Sequence, residues 1–329
     1  MINILVIGGA GYIGSHMCKY LAKNGYHPIV LDNLVYGHRE SVKWGTFFEG
    51  SMSDSNLITH IFSKYIIEAV MHFAAFCYVG ESVTNPAKYY RNNVSDTIAL
   101  LEKMVENNIS NFIFSSTCAT YGEPVEIPIT EHHPQNPINP YGKSKLMVEQ
   151  ILDDFNNAYG LQYVSLRYFN AAGADPDGEL GEDHRPETHL IPLVLQTALG
   201  QIESLNIFGD DYPTSDGTCI RDYIHINDLS RAHFLALERL INHIPGGHYN
   251  LGTGKGYSVK QVIDLAGKIT GKPIPAKIIE RRPGDTAILI SSNDKATKEL
   301  GWEPQFPDIK TIIETAWNWH TKHPDGYKE

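Results

Sequence analysis

A glycine-rich turn near the start of the chain constrains the fold most. Gly8, Gly11 and Gly14 lie between an apolar run, Ile2 to Ile7, and a helix predicted over Tyr12 to Lys23. In a strand–turn–helix unit the first glycine permits the tight turn and the second lets backbone approach a pyrophosphate. The third allows the helix to pack closely on the sheet, and the helix N-terminus favours negative charge. The spacing therefore predicts a dinucleotide-binding turn, although glycines at such a turn can also be purely structural.

An acid follows the second predicted strand at the distance this kind of unit requires. Asp32 ends the apolar run Pro28 to Leu31 and lies about 20 residues beyond the glycine turn. Its carboxylate would accept hydrogen bonds from the adenosine ribose hydroxyls and repel a 2′-phosphate. The sequence therefore predicts NAD as the cofactor and disfavours NADP.

Strands and helices alternate through the first half of the chain. Strands are predicted at residues 2–7, 28–31, 46–49, 69–73, 111–115 and 162–168, and helices at 12–23, 54–64, about 86–106 and from 140 onwards. This order implies an α/β fold with a Rossmann-type, doubly wound parallel sheet covered on both faces.

The second half is less regular and is predicted to form a smaller α/β lobe. Helices are expected at residues 190–199, 227–240 and 257–269, after a loop over 170–185 rich in Gly, Asp and Glu. Long loops in compact domains often bind ligands. We therefore assign residues 1–170 to an NAD-binding domain and 171–329 to a substrate-binding domain, and expect some segments to cross between the two.

Composition excludes several classes of protein. The 329 residues carry a net charge of −11 and contain no basic run, which disfavours nucleic-acid binding. No apolar run approaches the length of a membrane span, and the first residues predict a strand, not a signal peptide. Four widely spaced cysteines without a Cys-x-x-Cys pair predict neither disulfides nor a metal site. We therefore expect a cytoplasmic protein without a metal.

The start of the helix at residue 140 carries a candidate acid–base pair. Pro140 suits the first turn of a helix, and Tyr141 and Lys145 lie one turn apart, so they share a face. A nearby ammonium stabilises phenolate, so Lys145 should lower the pKa of Tyr141. Tyr141 is therefore a candidate for moving a hydroxyl proton. On spacing alone, an ordinary tyrosine beside a solvated lysine is the favoured interpretation of this pair.

Three features together resemble the extended short-chain dehydrogenase/reductase superfamily: the glycine spacing, the Tyr141–Lys145 pair and Ser115-Ser116-Thr117. The resemblance implies that Thr117, with Ser116 beside it, orients the substrate hydroxyl. Without the resemblance, both hydroxyls would be expected to bond backbone at a strand end.

Longer motifs narrow the resemblance to the UDP-glucose 4-epimerases, over almost the whole chain. The motifs are Val79-Gly80-Glu81-Ser82, Phe114 to Gly122, Pro137 to Lys145, Arg167-Tyr168-Phe169-Asn170, Arg221-Asp222-Tyr223-Ile224-His225 and His323 to Tyr327. They are far more specific than the glycine turn.

The resemblance assigns site residues position by position. The implied catalytic residues are Tyr141, Lys145, Thr117 and Ser116. The implied NAD-binding residues are Gly8, Gly11, Tyr12, Ile13, Gly14, Asp32, Asn33, Ser51, Met52, Phe73, Ala74, Ala75, Asn92, Ser115, Tyr141, Lys145 and Tyr168. The implied substrate-binding residues are Thr117, Tyr141, Phe169, Asn170, His189, Leu190, Phe208, Arg221, Tyr223, Arg282, Asp285 and Leu289.

Within that substrate set, the resemblance also implies individual roles. Arg221 and Arg282 hold the diphosphate of a UDP-sugar, Asp285 holds its ribose, and Phe208 stacks near uracil. Guanidinium groups suit phosphate oxygens, whereas a single surface arginine is usually a solvated charge. Leu289 occupies the position that governs sugar size, unless it is only a core strand residue.

The sequence departs from the family pattern at two positions that contact the cofactor, and one of its motifs bears on which sugar is bound. Ser51 stands where many relatives have an adenine-binding Asp, and Cys77 or Tyr78 replaces a Lys that contacts the cofactor. The pattern around Cys77 and Cys118 is also similar to UDP-arabinose 4-epimerases.

The resemblance implies NAD-dependent epimerisation at C4 of a UDP-hexose, UDP-glucose or UDP-galactose, through a 4-keto intermediate. Three alternatives remain. A UDP-arabinose/UDP-xylose 4-epimerase would use the same chemistry, whereas a 4,6-dehydratase would want acids where Cys118 and Ala119 follow Thr117. An NAD-binding sensor would not need Tyr141 and Lys145.

The resemblance also implies a homodimer joined by helices near 96–106 and 145–156, with Ile98, Leu101 and Met147 at the contact.

Overall fold

The computed structural model describes residues 2–282 and 284–328. Its first half alternates strands and helices: β1 (Asn3–Ile7), α1 (Tyr12–Lys23), β2 (His27–Asp32), β3 (Thr46–Glu49), α2 (Ser55–Lys64), β4 (Ile67–His72), α3 (Val79–Thr84), α4 (Pro86–Tyr89), α5 (Asp96–Glu106), β5 (Asn111–Thr117), α6 (Pro140–Tyr159) and β6 (Gln162–Tyr168).

The second half contains shorter strands among its helices. In order these are β7 (Asn170–Ala172), α7 (Leu190–Ala198), β8 (Leu205–Phe208), β9 (Ile220–His225), α8 (Ile226–Ile241), β10 (Gly247–Leu251), β11 (Gly256–Ser258), α9 (Val259–Thr270), β12 (Ala276–Ile279), β13 (Ile288–Leu289), α10 (Asp294–Leu300) and α11 (Ile309–Lys322).

Seven parallel strands form the main sheet, in the order β10-β6-β5-β4-β1-β2-β3. Val6 of β1 pairs with Val30 on one side and Met71 on the other. The strand order reverses at β1 and β4, which opens a crevice at the carboxyl ends of these strands. This is the Rossmann-type arrangement that the sequence predicts.

Two small sheets form the second lobe. β9 is central to one of them, where it pairs with β7, β11 and β13, and β12 pairs with β8 in the other. Helices α7, α9 and α11 pack together against these strands in one apolar cluster. The lobe therefore has its own core.

The two halves share the core of the main sheet. β10 comes from the second half but pairs with β6 at the edge of the main sheet. Residues of α8, including Leu229 and Leu237, pack in the same buried cluster as Val6 and Leu21. Segments therefore cross between the two predicted domains, and the boundary near residue 170 stays a prediction.

Helix starts follow their local sequence in most cases. Asp54 caps α2 by accepting from the backbone N–H groups of Asn56 and Leu57, as expected. The helix predicted from residue 227 begins one residue earlier, at Ile226. His225 caps this helix, α8, because its Nδ1 accepts from the N–H of Asn227.

The helix predicted over residues 86–106 is interrupted. A wide π-helical turn at Tyr90–Ser95 separates α4 from α5, and α3 precedes them as a further short helix. Such turns are common at functional sites because they redirect side chains.

One of the three residues predicted at the dimer contact, Leu101, is not accessible to a partner. Leu101 on α5 is fully buried within its own chain, beside Leu100 and Met104, so it cannot contact a partner. Met147 on α6 remains 41% exposed.

Among the described residues, no helix is both long and apolar enough to cross a membrane.

Candidate active site

One large cleft lies where the strand order of the main sheet reverses and extends to the second lobe. It encloses about 500 Å³. Every site residue predicted from the sequence lines this cleft except Ser115 and Ser116. The structure therefore brings the two predicted groups of residues, cofactor-binding and substrate-binding, to one continuous site.

The glycine turn forms one wall, and its three glycines meet different surroundings. Gly8 has φ +80°, and a Cβ there would lie 2.5 Å from the backbone nitrogen of Ala74. A Cβ at Gly14 would lie 2.2 Å from the carbonyl oxygen of Gly8. Packing within the chain therefore requires both glycines. At Gly11, the nearest protein atom would be 3.4 Å away, so the protein itself leaves room there.

The space at Gly11 fits a pyrophosphate. Gly11 is the residue before α1, whose first turn has no acidic side chain and therefore favours an anion. The residues present thus fit a dinucleotide at the position that the spacing predicts.

Asp32 ends β2 and faces the same cleft. Its Oδ2 accepts from the N–H of Ala10 at 3.0 Å, and its Oδ1 accepts from the N–H of Leu34 at 2.8 Å. Burial raises the pKa of Asp32, and these two backbone bonds act in the opposite direction. The bonds fix the carboxylate at the cleft wall, where its remaining lone pairs can accept ribose hydroxyls.

The π-helical turn positions another cofactor candidate. Asn93 is buried and ties this turn to its neighbours, because its Oδ1 accepts from the N–H of Phe76 and its Nδ2 donates to the Ser144 hydroxyl. Asn92, one residue earlier, is thereby held at the cleft.

The first two turns of α6 carry Tyr141 and Lys145, on one face as predicted. Asn139 caps the helix by accepting from the N–H of Gly142 at 2.8 Å, and Pro140 occupies its first turn. Lys145 is buried, and its Nζ donates to the carbonyl of Ser115 at 2.8 Å. Burial lowers the pKa of Lys145 to about 8.

The pKa of Tyr141 differs from the expectation. Burial raises it well above 10, because the surrounding protein disfavours phenolate, whereas the bond between Tyr141 and the Thr117 side chain acts in the opposite direction. The expectation that Lys145 gives Tyr141 a lowered pKa is therefore wrong for the protein alone. The Lys145 ammonium donates a hydrogen bond to the Ser115 carbonyl.

Thr117 and Ser116 face different sides of β5. Thr117 lines the cleft near Tyr141. Ser116 points to the opposite side, where its hydroxyl donates to Glu149 Oε1 at 2.5 Å, and Glu149 pairs with Arg167 at 2.7 Å. Successive side chains alternate across a strand, so only one of the two can face the substrate. We therefore remove Ser116 from the candidate catalytic group.

Ser115 acts through its backbone. Its carbonyl holds Lys145, whereas its hydroxyl bonds His233 Nε2 at 3.1 Å, and Ser115 does not line the cleft. Direct contact between the Ser115 side chain and a cofactor is therefore not supported.

The second lobe supplies two guanidinium groups to the far end of the cleft. Arg221 on β9 lies 3.9 Å from the Asp285 carboxylate, and Arg282 stacks 4.2 Å from the ring centre of Phe208. The neighbouring Arg281 pairs with Asp211 at 2.6 Å and does not line the cleft.

Phe169 and Leu289, which the resemblance assigns to the substrate, lie together in the structure. Phe169 and Leu289 pack in one small cluster with Cys118 and Tyr121, and both line the cleft. Of the two residues considered as replacements for a cofactor lysine, Cys77 lines the cleft. Tyr78 instead donates its hydroxyl to the carbonyl of Pro186 at 2.9 Å.

The sequence analysis missed a cluster at the cleft wall. Glu182, His184, Glu187 and His189 place one ligand-type atom each within 4.8 Å of one another, although we expected no metal site. The spacing Glu-x-His-x-x-Glu-x-His over residues 182–189 is the signal that could have indicated it.

Comparison with known proteins identifies similar chains over nearly the full length. A family model described as the NAD dependent epimerase/dehydratase family matches residues 4–252. The UDP-glucose 4-epimerase of Halalkalibacterium halodurans is 56% identical, over 98% of this chain and 97% of that protein.

Solved structures give the same similarity. The UDP-glucose 4-epimerase of Brucella ovis in complex with NAD has a TM-score of 0.94 at 52% identity, covering 96% of this chain and 98% of that one. The Bifidobacterium longum enzyme, solved with NAD⁺ and UDP, has a TM-score of 0.94 at 42% identity, with coverages of 99% and 100%.

Proposed function

Because the chain belongs to the NAD-dependent epimerase/dehydratase family, we propose that it is an isomerase that interconverts UDP-glucose and UDP-galactose. It inverts C4 of the hexose and uses NAD as its cofactor. One observation carries the proposal: a single cleft joins the dinucleotide turn, the Tyr141–Lys145–Thr117 group and the arginines of the second lobe.

The shape of the cleft supports an assignment of the cofactor residues. We assign the pyrophosphate to the turn around Gly11 and the adenosine ribose to Asp32. Ser51 lies at the same wall, where its hydroxyl bonds the hydroxyl of Ser53 at 2.8 Å. When bound, NAD supplies an acceptor for the C4 hydrogen and a positive charge that favours phenolate.

Tyr141 moves the proton of the sugar 4-hydroxyl. Because burial raises its pKa, Tyr141 is protonated in the protein alone and needs added positive charge to act as a base. Lys145 is held at the same helix turn by Ser115 and supplies part of that charge. Thr117 bonds the same sugar oxygen and keeps it aligned.

The second lobe holds the nucleotide while the sugar moves. Arg221 and Arg282 bind the diphosphate, and Asp285 binds the UDP ribose. Other contacts come from side chains or backbone along the cleft, at Phe169, Asn170, His189, Leu190, Phe208 and Tyr223. A fixed nucleotide allows the 4-keto sugar to present its other face within the same pocket. Leu289 limits the size of that pocket.

The assembly and location are also proposals. The partly exposed Ile98 on α5 and the exposed Met147 on α6 favour a homodimer formed through these two helices. Light scattering at micromolar concentration measures this, and a monomeric mass would contradict it. The absence of a Cys-x-x-Cys pair and of buried disulfides among the described cysteines favours a cytoplasmic location, which fractionation of the source cells would test.

The test of the proposed function uses purified protein and UDP-galactose, without added NAD. Separation of the products by anion-exchange chromatography should show UDP-glucose, and UDP-glucose as substrate should yield the same final mixture. A 4-keto-6-deoxy product would instead identify a dehydratase, and activity confined to UDP-arabinose and UDP-xylose would identify the pentose alternative. No conversion of any UDP-sugar would contradict an enzymatic function.

A further inference from the structure

Four side chains from one eight-residue segment converge at the wall of the cleft. Glu182, His184, Glu187 and His189 lie between β7 and α7, and one nitrogen or oxygen of each lies within 4.8 Å of those of the others. The two glutamate side chains are only 4% exposed, that of His184 is 14% exposed, and that of His189, at the edge of the cluster, is 47% exposed. Burying two carboxylates this close together requires positive charge between them.

The separations between these atoms are longer than hydrogen bonds in most cases. His184 Nδ1 lies 3.4 Å from Glu182 Oε1 and 3.4 Å from Glu187 Oε2. His189 Nδ1 lies 3.4 Å from Glu187 Oε1 and 2.7 Å from Glu182 Oε1. Only the last is an ordinary hydrogen-bond distance.

The longer separations match the edges of a metal tetrahedron. Zinc bonds to imidazole nitrogen and carboxylate oxygen are about 2.0–2.2 Å long, which gives edges of about 3.3–3.6 Å between tetrahedral ligands. The two separations from His184 Nδ1, to Glu182 Oε1 and to Glu187 Oε2, have this length.

Two buried atoms in the cluster also have no partner. His184 Nδ1 and Glu187 Oε2 are buried and make no hydrogen bond. Glu187 Oε1, by contrast, accepts from the N–H groups of Thr188 and His189, which fixes the carboxylate. An oxygen without a hydrogen bond on a fixed, buried carboxylate is available to a ligand.

We propose that Glu182, His184, Glu187 and His189 bind one zinc ion, a site that is additional to the NAD and UDP-sugar sites. Two imidazole nitrogens and two carboxylate oxygens suit zinc, and the two negative charges balance Zn²⁺. Four protein ligands leave no open position, so the ion is structural.

The position of the cluster indicates what such an ion would stabilise. His189 is the residue immediately before α7, and the ring of His184 lies 6.3 Å from that of Tyr12 in α1. A metal at this point would fix the entry to α7, and therefore Leu190 at the cleft wall, against the first lobe.

The test compares metal content in untagged protein dialysed against buffer without chelator. Mass spectrometry of the wild type should find about one zinc per chain. His184→Asn and Glu187→Gln should each lose it, whereas His132→Asn, at an exposed histidine outside the cluster, should retain it. Wild-type protein without zinc, or zinc retained in both cluster variants, would overturn the site.

Cobalt provides a readout that does not depend on the variants folding. Metal-free wild type titrated with Co²⁺ should develop the visible absorption bands of a tetrahedral site, saturating at one equivalent. Zinc should then displace the cobalt. A titration without these bands would show that two protonated histidines pair with the glutamates instead, and would overturn the proposal whatever the epimerase assay shows.

Discussion

Lys145 donates a 2.8 Å hydrogen bond to the backbone carbonyl of Ser115, which ties the second turn of α6 to β5. The bond fixes a buried ammonium beside the strand whose last residue is Thr117. Because Tyr141 lies one turn earlier on the same helix face, the three groups of the proposed reaction depend on this one connection.

Tyr141→Phe should abolish most turnover while leaving the fold intact. The ring packing is kept, but the group that moves the proton is lost, and such groups contribute roughly 10²–10⁴-fold. We expect kcat to fall at least about a hundredfold, measured with UDP-galactose. Tyr159→Phe, at the exposed end of the same helix, should leave kcat unchanged. Near-normal turnover in Tyr141→Phe would remove Tyr141 from the proton transfer.

Gly11→Ala should remove bound cofactor without unfolding the chain. A Cβ at Gly11 meets no protein atom closer than 3.4 Å, so the chain can still fold. The added methyl group occupies the space that we assign to the pyrophosphate. Wild-type protein, denatured and assayed for released nucleotide, should contain NAD, and Gly11→Ala should contain far less. Gly267→Ala, at a helical glycine with ordinary contacts, is the control that should retain NAD. Release of NADP from the wild type would contradict the role of Asp32.

Glu149→Gln should destabilise the fold. Burial alone would raise the pKa of Glu149, but its bonds from Arg167 outweigh this and hold the pKa below its usual value. Removing one partner of a buried ion pair costs about 3–5 kcal/mol. Urea unfolding at pH 7 should show a loss of this size, whereas Glu203→Gln, at an exposed position, should change little.

The same pair predicts a pH dependence. A carboxyl group whose pKa is lowered by folding contributes its full stability above its unfolded value of about 4.5 and loses it as the pH falls through the folded value. The difference between wild type and Glu149→Gln should therefore shrink below about pH 4.5. A difference that is constant from pH 7 to pH 3 would show that the ion pair is not its source.

Leu289 should set the preference between sugars. It lines the cleft and packs with Phe169, so an N-acetyl group would have to displace it. Overpacking costs roughly 1–3 kcal/mol, which is about a 5- to 150-fold difference in rate. We expect UDP-galactose to be preferred over UDP-N-acetylgalactosamine by kcat/KM, with Leu289→Cys narrowing the ratio and Leu289→Tyr widening it. Equal kcat/KM values in the wild type, or an unchanged ratio in both variants, would exclude Leu289 as the gate.

The sequence predicted those strands, turns and helix starts that depend on a few adjacent residues. The apolar run before Gly8 and the Pro140 start of α6 appear where expected, because strand, turn and cap each depend on a few adjacent residues. The pairing of β10 with β6 was not predicted, since it joins residues about 80 positions apart and no local pattern encodes it.

The errors at the site have equally specific causes. The assignment of Ser116 failed because a one-residue difference along a strand reverses the face, and the sequence does not show which face meets the cleft. Leu101 resembled a surface residue on a helix whose buried side was unknown. The 182–189 cluster lies in a loop without periodicity, so the spacing of its Glu and His residues indicates candidate ligands but does not show that their side chains converge.

The central claim is that this cleft inverts C4 of a UDP-hexose by removing the C4 hydrogen and returning it to the opposite face. UDP-galactose carrying deuterium at C4 tests this directly when it is incubated with the protein in ordinary water and the product is analysed by NMR and mass spectrometry. We predict UDP-glucose that retains the deuterium at C4, because the C4 hydrogen passes to NAD and returns to the same carbon without exchanging with solvent. Loss of the deuterium to water, or recovery of unchanged UDP-galactose, would contradict the account.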